Sequence, residues 1–175
     1  MYRLVASDMD ETFLGAGHRL PEANVRALAR MRELGVLFVP CSGRPYQSIV
    51  ASFSGVDPEL MRDTYVISYN GGFVNRYGED EPIISTTLDR AIAEGIYAFA
   101  LERRQCVHAY TPSGRIFIQF APEFERQKVE GIAGVEFIDD SWCDLGFVGD
   151  EPIVKMILMD PDFSVAKRLG AELGK

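Results

Sequence analysis

Two periods of apolar spacing take turns along the first 70 residues. YRLVAS at 2–7 is a short apolar run that reads as a strand. In PEANVRALARMRELG at 21–35, Val25, Leu28 and Met31 recur at helical spacing with arginines between them, while Pro21 suits a first turn and Gly35 an end. VLFVPCS at 36–42 is strand-like again, YQSIVASF opens a second helix, and TYVISYN at 64–70 gives a third strand. The order β-α-β-α-β predicts an α/β fold with a parallel sheet and helices on its faces. In open sheets of that kind ligands bind at the carboxyl ends of the strands, where Asp8, Ser42 and Asn70 all fall.

The pattern changes near residue 78, where YGEDEP is a polar, turn-rich break. Beyond it, TLDRAIAEGIYAFALERR at 87–104 reads as a helix. CVHAYT, PSGR and IFIQFA then read as strand, turn and strand, a β-hairpin. A helix is expected from about Pro122 to Ile132, a strand in PIVKMILMD, and a final helix in FSVAKRLGAELGK. The chain therefore divides into a first domain over 1–83 and an α+β domain over 84–175. The aromatic residues of IYAFAL and IFIQFA are most simply core. Neither an internal repeat nor a low-complexity segment is present.

Composition narrows the function classes. The chain has 175 residues, 47% of them hydrophobic, enough for a packed core. A net charge of -8 argues against nucleic acid, because binding a phosphate backbone needs clustered Lys and Arg. Cys41, Cys106 and Cys143 are odd in number and widely spaced, so they are read as reduced thiols rather than a disulfide framework or zinc site. Cys41 is expected to be a small buried residue, not a nucleophile. His18 and His108 have no metal-type spacing. No signal-peptide pattern and no membrane-length apolar stretch is seen, which points to the cytoplasm and away from a membrane.

The candidate chemistry starts at VASDMDETFLG, 5–15. Acids two apart arise by chance in a chain this acidic, and Glu79 with Glu81 is one such pair. In an extended strand, however, residues i and i+2 point the same way, so Asp8 and Asp10 could face one cavity. The alternative is a solvated turn with a helix-capping Asp. Two carboxylates about 5 Å apart repel by roughly 3 kcal/mol at an effective dielectric near 20. A divalent cation would offset that, with oxygen-only ligands favouring Mg²⁺ over zinc; so would a proton held by one acid. Both states serve phosphoryl transfer, an ionised Asp attacking phosphorus and a protonated one giving its proton to the leaving oxygen.

DMDET, then CSGRP, then ISYNGG, in that order and each at an expected strand end, resemble the haloacid dehalogenase superfamily, specifically its Cof-type phosphatases with a large cap inserted after the second motif. The resemblance implies a Rossmann-like core, here an incomplete parallel sheet, carrying an α+β cap. It implies a phosphoric monoester hydrolase acting with Mg²⁺ on small phosphorylated metabolites such as sugar phosphates. By the same resemblance Asp8 is the nucleophile that forms an aspartyl-phosphate and Asp10 the general acid, later the base that activates water. The Asp8 carboxylate and the Asp10 backbone carbonyl bind the metal. Thr12 braces the loop and Ser42 hydrogen-bonds a phosphoryl oxygen beside the backbone of Gly43. Arg44, Asn70 and Gly71 lie near the substrate. Read as residues alone, Ser42 to Pro45 could be a plain turn, Arg44 could pair structurally with an acid, and Asn70-Gly71-Gly72 is a turn signal by composition. Glu11 stands where the family more often has glycine.

Cof-type enzymes continue past the cap with a charge-balancing lysine and a Gly-Asp segment of metal-binding acids. GDEPIVK at 149–155 does not supply them, since Ile153 and Val154 occupy positions where a carboxylate is needed. Lys155 sits in an expected strand and Lys128 on a surface helix. The expectation is therefore a shortened phosphatase whose exposed sheet edge a second copy of the chain could cover. Two other readings stay open: a remnant that binds a ligand or partner without turnover, and phosphotransfer to an acceptor other than water.

Overall fold

A computed structural model describes residues 2–159 together with Lys167, Gly170 and Ala171. It divides the chain into two compact units, Met1–Thr86 and Thr87–Lys175.

The first unit is a five-stranded sheet in the order β1-β2-β3-β4-β5. β1 (Leu4–Asp8), β2 (Leu37–Cys41) and β3 (Tyr65–Ser68) run parallel, in register from Leu4↔Leu37 to Asp8↔Cys41 and then at Cys41↔Ile67. Between them come α1 (Glu22–Glu33) and α2 (Tyr46–Ala51), on either side of β2 in sequence. Leu28 of α1, Phe38 of β2, Ile49 of α2 and Val66 of β3 meet in one buried apolar cluster, while Val25 and Met31 are half-buried. The expected parallel sheet is corrected in its second half. β4 (Phe73–Arg76) returns antiparallel to β3, and β5 (Pro82–Ser85) antiparallel to β4, because YGEDEP is the turn of a hairpin inside the sheet. Asn75, buried at 1% exposure, holds that turn by donating from Nδ2 to Glu79 O and Asp80 O. The pairing of β5 with β4 carries the first unit to Thr86, beyond the boundary expected at 83, and the Thr86 N–H donates to Gly72 O at 2.8 Å.

The second unit is a four-stranded sheet in the order β8-β7-β6-β9. β6 (Val107–Tyr110) and β7 (Ile116–Gln119) form the expected hairpin. β8 (Val135–Phe137) lies parallel to β7, and β9 (Lys155–Leu158) antiparallel to β6. Strand period sorts the side chains. Val107, Ala109 and Phe117 cluster with Ala93, Tyr97 and Ala100 of α3 (Arg90–Arg103), and Asp89 caps that helix by accepting from the N–H groups of Ala91 and Ile92. Cys106, Ile116 and Ile118 cluster with Val129, just after α4 (Glu123–Lys128), which is shorter than the helix expected to Ile132. On this side His108 and Glu125 are both buried, with Nε2 and Oε1 3.5 Å apart. The final helix expected in 163–175 lies outside the described residues except at Lys167, Gly170 and Ala171, which are helical.

Candidate active site

The site grows from the end of β1. Asp8 and Asp10 both have extended backbone, and Met9 between them is fully buried, so the two acids emerge on the opposite side from the core. Glu11 then turns the chain with φ 56°, and Leu14 N–H closes the loop on Met9 O at 2.8 Å. That left-handed conformation suits glycine better than the glutamate that fills it. The Thr12 hydroxyl donates to Asp8 Oδ2 at 2.9 Å.

Ser42 follows β2 and is 7% exposed. Its N–H donates to Ile67 O at 3.0 Å, its carbonyl accepts from Asn70 N–H at 3.0 Å, and its Oγ accepts from Arg44 N–H at 3.2 Å. The Arg44 carbonyl in turn accepts from Tyr69 N–H at 3.1 Å. The loops after β2 and β3 are thus stitched into one wall. Asn70, at φ 58°, adopts a left-handed conformation that Asn tolerates better than most residues.

A cavity of about 260 Å³ opens at this wall, lined by Asp8, Cys41, Ser42, Gly43, Ile67, Asn70 and Gly71. Five of the candidate residues therefore share one concavity at the strand ends: Asp8, Ser42, Gly43, Asn70 and Gly71. Asp10 does not join them. Its carboxylate is paired with a cation from elsewhere in the chain. Arg44 Nε donates to Asp10 Oδ2 at 2.9 Å and Arg44 Nη2 donates to Asp10 Oδ1. This guanidinium offsets part of the repulsion between the acids. The sequence reading missed His18, whose Nδ1 lies 3.0 Å from Asp10 Oδ1 and 2.8 Å from Arg44 Nη2. The only signal was a histidine eight residues after an acid.

The donors on offer at the cavity are hard. Asp8 Oδ1 accepts no hydrogen bond among the described residues. Burial, and then the charge of Asp8, raise the pKa of the Cys41 thiol, whose S–H donates to Val39 O, so it is no thiolate ligand. No group of three His, Cys, Asp or Glu residues able to hold a metal occurs among the described residues. A carboxylate oxygen plus a backbone carbonyl fits Mg²⁺, which keeps several waters, and does not fit zinc. All three cysteines are free, and no described helix is long and apolar enough to cross a membrane.

Comparison with known proteins follows the same lines. The Bacillus subtilis (strain 168) protein named "Putative phosphatase YxeH" is 30% identical over 113 residues, covering 65% of this chain and 42% of YxeH. A haloacid dehalogenase-like hydrolase from Bacteroides thetaiotaomicron superposes with a TM-score of 0.72 at 21% identity, over 99% of this chain and 65% of that one. The subclass IIB sugar phosphatase BT4131 superposes with a TM-score of 0.77 at 18% identity, over 98% of this chain and 64% of that one. These solved structures share the fold, and this chain spans less than two thirds of the length of each relative named. The family model for haloacid dehalogenase-like hydrolases matches residues 5–164, and the chain belongs to that family.

Proposed function

We propose that this chain carries the nucleophilic half of a Mg²⁺-dependent phosphatase site acting on small phosphorylated metabolites such as sugar phosphates. The observation that carries the reading is the meeting of Asp8 and Ser42 in one cavity at the ends of β1 and β2. Asp8 Oδ1 attacks phosphorus as the bond to the leaving oxygen breaks, and Asp10 gives that oxygen a proton. Asp10 then takes a proton from water, whose oxygen attacks phosphorus and releases Asp8. The Ser42 hydroxyl donates to a phosphoryl oxygen while Gly43 lets backbone approach it, and Thr12 holds the second oxygen of Asp8. Arg44, Asn70 and Gly71 border the substrate. The Asp8 carboxylate and the Asp10 carbonyl would hold Mg²⁺, which when bound neutralises charge on the transferring phosphoryl group. The neighbouring sugar phosphatase supports the substrate class. Three free thiols support a cytoplasmic setting, and exposed Leu4 and Val5 on the edge strand β1 support pairing with a second copy.

Phosphate release from an aryl phosphate, with and without Mg²⁺, tests this. Asp8→Asn is expected to lower the Mg²⁺-dependent rate by roughly a thousandfold or more. An unchanged rate would mean that Asp8 is not the nucleophile. A second reading, ligand binding without turnover, draws on the Asp10 carboxylate being held by Arg44 outside the cavity. It predicts no phosphate release but a saturable rise in melting temperature with inorganic phosphate.

A further inference from the structure

The contacts around Asp10 do more than neutralise it. A carboxylate has four lone-pair positions, two on each oxygen. Oδ1 faces Arg44 Nη2 and, at 3.0 Å, His18 Nδ1, which also lies 2.8 Å from Arg44 Nη2, whereas Oδ2 faces Arg44 Nε at 2.9 Å. Arg44 Nη2 carries two protons, so Nδ1 either donates to Oδ1 or accepts from the guanidinium, and in both tautomers the ring bridges the two partners.

The backbone is shaped to make this contact. His18 sits at φ 56° in a turn closed by its own N–H on Gly15 O at 3.1 Å and by Gly15 N–H on Arg19 O at 2.8 Å, which brings the ring back over Asp10. Arg44 is pinned at both its N–H and its carbonyl to the Ser42 wall, so the clamp ties Asp10 to the hydroxyl that borders the cavity. His18 itself is 70% exposed and adds nothing to the core.

We propose that His18 is a positioning residue for Asp10: its ring bridges Arg44 and Asp10 Oδ1 and so fixes the carboxylate for proton exchange with the leaving group. This rests on the reading of Asp10 as the proton donor. His18→Gly removes the ring yet keeps the left-handed backbone without strain, and His18→Asn restores a short polar side chain that also tolerates it. The two variants and the parent chain are assayed with Mg²⁺ on p-nitrophenyl phosphate, whose leaving group needs no proton, and on glycerol 2-phosphate, whose leaving group does.

The expected result is a fall of about tenfold or more in kcat for glycerol 2-phosphate in His18→Gly, with KM held, less than about threefold for the aryl ester, and recovery in His18→Asn. Equal falls on both esters, or none, would overturn the proposal. If the parent hydrolyses neither ester, the phosphatase reading falls and the clamp is judged separately by hydrogen exchange at Arg44 Nε–H, followed by NMR. Exchange at least about tenfold faster in both Asp10→Asn and His18→Gly than in the parent supports a three-residue clamp. Unchanged exchange in His18→Gly overturns it.

Discussion

His108→Gln offers a quantitative test of the second unit. His108 is 4% exposed, and burial pushes its ring pKa down to about 4, with Lys128 and Lys155 acting the same way. The Glu125 carboxylate, 3.5 Å from Nε2, pulls in the other direction, and the Tyr110 hydroxyl lies 3.4 Å from Nδ1. In the unfolded chain the ring titrates near its ordinary value of about 6.5. A folded pKa below the unfolded one means that acid favours the unfolded state. The stability that His108 contributes is therefore fully present above about pH 6.5 and is lost as pH falls toward about 4. A gap from roughly 6.5 to about 4 corresponds to ~3 kcal/mol in all, of which ~2 kcal/mol disappears between pH 7 and pH 5. Urea unfolding of the parent and His108→Gln across that range measures it, since the amide keeps a donor toward Glu125 but cannot titrate. The difference between the two curves should grow as pH falls, with the parent losing more. Parallel curves would refute the assignment. A parent that gains stability in acid would show that Glu125 outweighs burial.

Three further substitutions probe other features. Tyr97→Phe deletes the hydroxyl that donates to Gln119 Oε1 at 2.6 Å and leaves that acceptor buried, so urea unfolding should register a loss of about 1–3 kcal/mol with an unchanged m-value. At Gly134, φ is 82° and an added Cβ would stand 2.3 Å from Gly114 O, so Gly134→Ala should cost about 2 kcal/mol or more and lower Tm by several degrees. Glu11 holds φ 56° with an exposed side chain that makes no hydrogen bond or ion pair among the described residues. Glu11→Gly relieves the left-handed strain at some cost in chain entropy, and a net gain of up to about 1 kcal/mol is expected by thermal unfolding; a loss would contradict the strain.

What could be read from the chain follows from range. The alternating strands and helices up to Ser68 declared themselves because each carries its own period, Leu28 and Ile49 included. The hairpin of β4 and β5 did not, since buried Asn75 breaks the apolar pattern of Phe73–Arg76 and YGEDEP reads equally well as a domain break or a turn. β8, three residues long, is below what periodicity can resolve. At the site, Asp8 and Ser42 stand at strand ends and were visible as such. The Arg44–Asp10 pair spans 34 residues and the His18–Arg44 contact 26, and no local pattern encodes a meeting at that separation. Electrostatic complementarity was foreseeable, but the part of it supplied by the chain itself, through Arg44, was not.

The way the chain leaves its first sheet has a mechanical corollary. Thr86, the last residue of that unit, is fastened through its N–H to Gly72 O, and the preceding residue, Gly71, forms part of the cavity wall. Tension applied to the chain at Thr86 is shared between that bond and the ladder that pairs Ser85 with Phe73. The turn that contributes Gly71 to the cavity is thereby held by the same segment that carries the chain out of the sheet.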